Sequence, residues 1–343
     1  MTDAQTTNLK CCLLNAENLF LLFDNPPPKD TLQLSEVAWQ KLSSSVYENK
    51  SLKKCLEISK ALHEINADII MLCEVGGYES LKNFNQLFMK DLYSPCLLEG
   101  NSDRNIDVGF LVKKTLPLYY DLISNKHRPI NYLYPHERQS IENGYPVKGG
   151  KVTTSHKFSR DVVELRLFTR DKEKPFFIFL LTHLKSRLDR EKVDPNGFER
   201  RQAEMKTLLE IYRELKIVHP QVPILVAGDF NGNAGKIGTD EEFKEIYTTT
   251  PLQDILEIGG VSPDKRATFY QVRNNSKADG RQIDFAFLSE QLQKAVKAGS
   301  VSVYRYKDEF NMPYDTPTSL EAKMRLPSDH YPLVFEFENL KVF

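Results

Sequence analysis

Pro223-Ile-Leu-Val-Ala-Gly-Asp-Phe-Asn-Gly-Asn233 holds the signature from which the rest of the chain is read. Ile224 to Ala227 is an apolar run too short for a helix and bounded by Pro223 and Gly228, so it reads as a buried strand. Polar residues gather at its C-terminal end. Alternate residues of a strand face the same way, so Asp229 and Asn231 are expected to project together while Phe230 points to the other side. Gly228 and Gly232 keep the approach to that pair open. The same letters also suit an Asx-rich turn. The choice between the two rests on whether the remaining chain supplies partners.

Composition narrows the field first. The 343 residues suffice for one large α/β domain or two ordinary ones, and the 41% hydrophobic and 27% charged fractions are those of a globular protein. A net charge of −1 excludes a general basic field, so any nucleic-acid binding needs a local patch. The five cysteines, Cys11, Cys12, Cys55, Cys73 and Cys96, lack metal-binding pair spacing and read as buried thiols in a reducing compartment. The start, Met1-Thr-Asp-Ala-Gln-Thr-Thr7, has no basic and apolar leader pattern, and the longest apolar run, Phe176 to Leu181, is too short to span a bilayer. A cytoplasmic location is expected, with no membrane association and no evident protein partner.

From the opening strand the pattern extends in both directions. Leu9 to Leu14 reads as a strand ending in Asn15-Ala-Glu-Asn18. Asp24 to Asp30 breaks regular structure, and Trp39 falls in a short helix. Residues 51–65 carry a helical period, and 67–73 form an apolar strand ending in Glu74-Val-Gly-Gly77. Strand, helix and strand at this spacing resemble a βαβ unit, although strand direction is not readable from sequence. A helix is expected over 78–92 and a strand over 107–112. Residues 113–158, rich in Pro, Gly, Asn and Tyr, are the least regular segment. Strands at 161–168 and 175–181 lead into Thr182-His-Leu-Lys-Ser-Arg187, and 198–216 is helical. Beyond the opening strand, 239–248 and 291–298 look helical. Strands are expected at 267–272 and 282–288, around a polar turn at Asn274-Asn275, and at 331–337 behind Ser328-Asp-His330. No internal repeat or compositional break appears, so 1–343 is expected to form a single domain with insertions near 24–49 and 113–158.

Polar residues thus recur at strand ends, where distant segments of a sheet protein can build one site. Several carboxylates and carboxamides with no cysteine pair suit a hard, oxygen-liganded ion, Mg²⁺ or Mn²⁺. The ordered set Asn15-Ala-Glu-Asn, Glu74-Val, Thr182-His-Leu, Gly228-Asp-Phe-Asn, Gln282-Ile-Asp-Phe and Ser328-Asp-His resembles the endonuclease/exonuclease/phosphatase superfamily, the deoxyribonuclease I-like fold, and spans nearly the whole chain. The run from Thr182 to Arg187, followed by Phe198-Glu-Arg-Arg-Gln-Ala203, is similar to a bacterial nuclease-like branch.

The resemblance implies a four-layer α/β sandwich, two packed mixed β-sheets flanked by helices, that hydrolyses phosphoesters with a divalent metal. By motif, Glu74 is the principal metal ligand, supported by Asn15 and Asp329. Asp229 orients or deprotonates the attacking water, and Asn231 donates to a phosphate oxygen. Asp284 holds His330, and His183 contacts the phosphate or assists the leaving group. Phosphodiester hydrolysis explains these types, since it needs an in-line water, fixed donors for the pentavalent phosphate and help for the departing alkoxide. Whether His330 acts as base or as phosphate-binding cation stays open.

Other residues read two ways. Asp107 either orients His183 or begins a strand. Arg160 either binds phosphate or pairs with an acid at the surface. Glu17 lies where a second acid could approach the metal. Lys185 and Arg187, with Arg200-Arg201 and Arg104, Arg266 and Arg273, form local basic clusters suited to flanking phosphates, or simply solvate their elements. A nuclease acting on DNA or RNA, most simply an endonuclease, is the expected activity. A phosphatase or phosphodiesterase acting on a small-molecule or lipid-headgroup phosphate is the alternative.

Overall fold

Cys11 and Leu13 face one way from the first strand and Cys12 and Leu14 the other, and both sets are buried in different apolar clusters. That two-sided burial requires a layer on each face of the sheet. The computed structural model describes residues 6–144, 154–169, 174–189, 192–273 and 278–342. Its strands are β1 (Thr6–Leu19), β2 (Ile69–Val75), β3 (Tyr93–Leu97), β4 (Asp107–Lys113), β5 (Tyr119–Ser124), β6 (Val162–Phe168) and β7 (Phe177–His183). The others are β8 (Ile224–Asp229), β9 (Gln253–Asp254), β10 (Phe269–Gln271), β11 (Asp279–Arg281), β12 (Asp284–Leu288), β13 (Ser302–Val303) and β14 (Leu333–Lys341). Two six-stranded sheets result, ordered β13-β14-β1-β2-β4-β3 and β5-β6-β7-β8-β12-β9, with β10 and β11 forming a separate ribbon.

The inner faces of both sheets share one core, in which Leu13, Met71 and Phe110 meet Leu165, Phe179 and Ala227. The helices α1 (Glu36–Gln40), α2 (Leu52–Ile65) and α3 (Gly77–Phe88) cover the outer face of the first sheet. Past α4 (Pro135–Glu142), the long α5 (Phe198–Val218) covers the outer face of the second. This is the four-layer sandwich of two mixed sheets. Each sheet contains one parallel pair, β1 with β2 and β7 with β8, whose crossovers carry α2 and α5 respectively. The spacing in 9–73 therefore does mark a βαβ unit, and a second one follows it.

Two strands differ from the sequence expectation. The helix expected over 78–92 stops at Phe88, and Tyr93–Leu97 follows as an edge strand. Its Pro95 hides it from pattern reading, yet an edge position tolerates a missing N–H. Within the irregular 113–158, Tyr119–Ser124 is also an edge strand, alternately exposed and half-buried. Residues 145–153 of that insertion, and the turn at Asn274-Asn275, lie outside the described residues. The insertion near 24–49 is no appendage: Trp39 is wholly buried and donates from its indole N–H to Lys50 O at 2.9 Å. The helix expected over 239–248 is split into a 3-10 turn, Glu241–Phe243, and a short helix, Glu245–Thr249.

The face of α5 organises the loops beside the site. Arg201, read above as part of a basic patch, is buried and donates to Glu242 Oε1 at 2.9 Å and to Lys185 O and Asn196 O at 3.0 Å. Glu204 accepts the N–H groups of Ser159 and Lys185, both at 2.7 Å. The buried cation and the buried acid are each satisfied, as low-dielectric surroundings demand.

Asp254 carries a pH signature remote from the site. Burial pushes its carboxyl up to about 7, against hydrogen bonds from Gln282 Nε2 and the Leu256 N–H that favour the ion. The folded chain then holds a proton that the unfolded chain releases. Its contribution is complete below the ordinary carboxylate range and is lost as pH rises through about 7. In thermal denaturation, Asp254→Asn is expected to gain on the wild type between about pH 5 and about pH 8. An equal offset at both values would refute this assignment.

Candidate active site

Strand register lines up the first three groups. Asp229 ends β8, opposite His183 on the parallel β7 and opposite Asp284 on the antiparallel β12. Residues in register on neighbouring strands project to the same face, so the three side chains form a row across the sheet. Gly228 makes the close strand approach possible. Its φ is 149°, and a Cβ there would meet Thr182 O at 1.8 Å.

Asn231 departs from the alternation expected of it. The strand stops at Asp229, and Asn231 sits at φ 55° with its N–H donating to Asp229 Oδ1 at 2.8 Å. The strand end and the Asx turn are therefore both real, in sequence. The Asn231 carboxamide donates to Leu184 O at 3.0 Å, leaving its second amide hydrogen.

The first sheet meets this row through irregular backbone. The β1–β2 register shifts between Asn15 and Leu19, and the β2–β4 register shifts between Leu72 and Val75. Glu17, Asn18 and Glu74 have φ of 50°, 54° and 60°, which non-glycine residues adopt rarely and at a cost. These bulges re-aim the side chains at the sheet rim. Asn15 Nδ2 donates to Asp229 Oδ2 at 2.9 Å, joining the two sheets, while its Oδ1 accepts the Glu17 N–H at 2.9 Å. Glu74 Oε2 accepts the Asn18 N–H at 3.1 Å. Ser328 Oγ donates to Asn15 O at 2.7 Å and accepts the His330 N–H at 3.2 Å, and Tyr306 donates to His330 O at 2.9 Å.

His330 Nδ1 lies 2.8 Å from Asp284 Oδ2, and its Nε2 lies 3.9 Å from Asp229 Oδ2 and 3.8 Å from Asp329 Oδ1. Burial alone would lower the imidazolium, but Asp284, Asp329 and Asp229 together raise its pKa well above the usual value. His183 Nε2 stands 3.6 Å from Asp229 Oδ2. Burial, with Arg160, His330 and Arg104 nearby, drives the His183 pKa well below normal. The surroundings thus push the two histidines in opposite directions on either side of one carboxylate. Burial and the neighbouring Asp284 raise the Asp229 pKa, with His330, the Asn231 N–H and Asn15 working against the rise.

Several expectations need correction. Asp107 does not orient His183: its Oδ1 accepts the Gly100 N–H at 2.8 Å, and His183 Nδ1 is buried without a hydrogen-bond partner. Glu17 is turned to Lys50 and Lys54, at 3.1 and 2.8 Å, and not toward a metal. Arg160 is not a surface ion pair. It is 6% exposed, its Nη1 reaches Ser159 Oγ and Leu184 O at 3.3 Å, and its Nε has no partner. Arg187 braces the Asn231 turn, donating to Asn231 O at 3.0 Å and pairing with Asp240. Lys185 Nζ donates to Ser186 O at 3.1 Å and Leu188 O at 2.6 Å, and Asp329 pairs with Lys323 at 3.2 Å. Sequence reading missed Glu204, whose anchoring of two loops leaves no local signal, and Tyr306.

Among the described residues, one group of three carboxylate and imidazole atoms lies within 4.8 Å, formed by Asp229, Asp284 and His330. Glu74, Asn15 and Asp329 are not that group. Within that group His330 Nδ1 and Asp284 Oδ2 are hydrogen-bonded to each other at 2.8 Å. Of the expected ligands, Asn15 Oδ1 and Glu74 Oε2 each accept a backbone N–H, and Asp329 faces Lys323.

The fold is similar to that of solved structures that include an endonuclease/exonuclease/phosphatase family protein. A Bacteroides thetaiotaomicron protein of that family is 15% identical, with a TM-score of 0.55 over 98% of this chain and 99% of that one. D. rerio TDP2 complexed with single-strand DNA product is 13% identical, with a TM-score of 0.54 over 96% of this chain and 99% of its own. The Bacteroides thetaiotaomicron mannosyl-6-phosphatase Bt3783 is 14% identical, with a TM-score of 0.53 over 95% and 98%. No protein-family model matches the sequence, and no curated protein matches it.

Proposed function

We propose that this chain is a phosphodiesterase dependent on Mg²⁺ or Mn²⁺ that cuts nucleic acid by in-line attack of an activated water. One observation carries the reading: a buried carboxylate, Asp229, lies 3.6 Å from His183 and 3.9 Å from His330, while the Asn15 carboxamide from the opposite sheet donates to it at 2.9 Å. Glu74, Asn15 and Asp329 would hold the divalent ion, which would supply charge neutralisation for the reacting phosphate. Asp229 orients the water, and its raised pKa suits it to take the proton. The His330 imidazolium, fixed by Asp284, and the spare N–H groups of Asn231 and Arg160 offer donors to the phosphate oxygens.

Clefts on both sides of the row favour a strand-like polyanion over a small substrate. One, of about 620 Å³, is lined by Arg104, Lys157, Lys185 and Arg200, and the other, of about 560 Å³, by Arg187, Lys236, Arg266 and Arg281. A strand passing through both would be cut internally, as an endonuclease cuts. The DNA product bound by D. rerio TDP2 agrees in kind. The same reading treats the chain as one unit, since its site draws on both sheets, and takes it to be cytoplasmic, which its five buried free thiols favour. No described helix is long and apolar enough to cross a membrane.

The purified protein is expected to cut plasmid, linear or single-stranded DNA or RNA with Mg²⁺ or Mn²⁺, to lose that activity in EDTA, and to weaken steeply with salt. Hydrolysis of a sugar or lipid phosphate with every nucleic acid left intact would overturn the nucleic-acid reading.

A further inference from the structure

Arg160 is the link between the catalytic row and the larger cleft. Its guanidinium feels Glu204, Glu74 and Asp229, and its buried Nε–H has no acceptor. The cleft that opens beyond it runs between residues 101–104, 155–160 and the start of α5, and cations outnumber acids five to two along its wall. One acid, Asp189, has both oxygens occupied by the N–H groups of Val193 and Asp194, at 3.1 and 3.0 Å. The other, Asp103, faces Arg200 from the rim. Arg200 donates to Tyr134 OH and Lys157 O, both at 3.2 Å, and its Nε lies 3.6 Å from the buried Glu204. Tyr134 meets the His156 ring edge-on at 4.9 Å, so an aromatic wall stands beside the cations. Burial and repulsion from Arg160 and Arg200 lower the Lys185 pKa, a crowding that a bound anion relieves.

We propose that this cleft is a subsite for a second phosphate of the substrate, one unit away from the phosphate that is cleaved, with Arg200 and Lys157 as its outer anchors and Tyr134 beside the intervening sugar or base. This rests on the phosphodiesterase reading above and deepens it, naming the side chains that hold a phosphate next to the one cleaved. Tyr134 and Lys157 come from the 113–158 segment and Arg200 from α5. A charge-assisted contact of this kind is worth about tenfold in affinity.

The test separates binding from turnover. Calorimetric titration in EDTA compares thymidine 3′,5′-bisphosphate with thymidine 5′-monophosphate. The wild type is expected to bind the bisphosphate about tenfold or more tightly, and Arg200→Ala is expected to close most of that gap. Lys157→Ala, a change at an exposed side chain, provides the same readout if Arg200→Ala fails to fold. Equal affinity for the two ligands in the wild type overturns the proposal. A gap that survives both substitutions also overturns it, as does one closed by Arg281→Ala alone, which would assign the second phosphate to the other cleft. Hydrolysis of the nucleic-acid panel with Mg²⁺ is scored separately. Its absence beside an intact affinity gap removes the catalytic reading and not the subsite.

Discussion

Asp229→Asn is expected to lower kcat on a phosphodiester substrate by about 10²–10⁴-fold while the chain still folds, its melting temperature set by two opposed changes. Both effects come from the same geometry. Asp229 is 2% exposed and lies beside Asp284, so the native state disfavours its charge. Asparagine removes that repulsion and can still accept the Asn231 N–H, but its amide nitrogen then meets the Asn15 donor and the bond between the sheets is lost. What it cannot do is take a proton from water. His330→Gln should cost a similar factor. The double variant should cost less than the product of the two, because both residues act on one proton and one phosphate. Steady-state kinetics and thermal denaturation on the same preparations check all of this. Retained activity in Asp229→Asn would remove the assignment of the site.

Gly228→Ala should destabilise the fold by about 3–5 kcal/mol in urea denaturation, among the larger effects a single methyl can have. The added Cβ would stand 1.8 Å from Thr182 O, a backbone atom of the paired strand that has no rotamer by which to move aside. Gly260→Ala is the control. Its φ is also positive, at 65°, but nothing lies within 4 Å of the added atom. It should cost only the backbone strain of about 1–3 kcal/mol. A Gly228→Ala cost no larger than the control would mean that β7 and β8 can separate without loss. Because His183 and Asp229 are the next residues of those strands, activity should fall along with stability.

The sequence made much of this legible, for reasons visible in single residues. Short continuous apolar runs at Cys11 to Leu14 and Ile224 to Ala227 marked buried strands, and polar residues at their ends pointed to a rim. The missed pieces share a cause: their meaning depends on what lies opposite. Tyr93–Leu97 is a strand only because β4 offers an edge to it, Pro95 notwithstanding. Arg201 looks like a surface cation until Glu242 is brought to it from 41 residues away. The left-handed backbone at Glu17, Asn18 and Glu74 belongs to two bulges, which appear only once the strands are paired. Asp107 pairs with Val75 in register, yet its side chain turns to Gly100, and nothing local foretells that choice.

The Asn15–Asp229 bond that joins the sheets also orders events in time. It closes a loop of 214 residues, and the Ser328–Asn15 bond beside it closes one of 313. Each βαβ unit can form from nearby chain, but these contacts reward the chain only after long stretches have been brought together, which is entropically slow. Secondary structure and the apolar core can therefore return in refolding before the site does. Recovered turnover would report the closing step of folding, the locking of one sheet's rim onto the other.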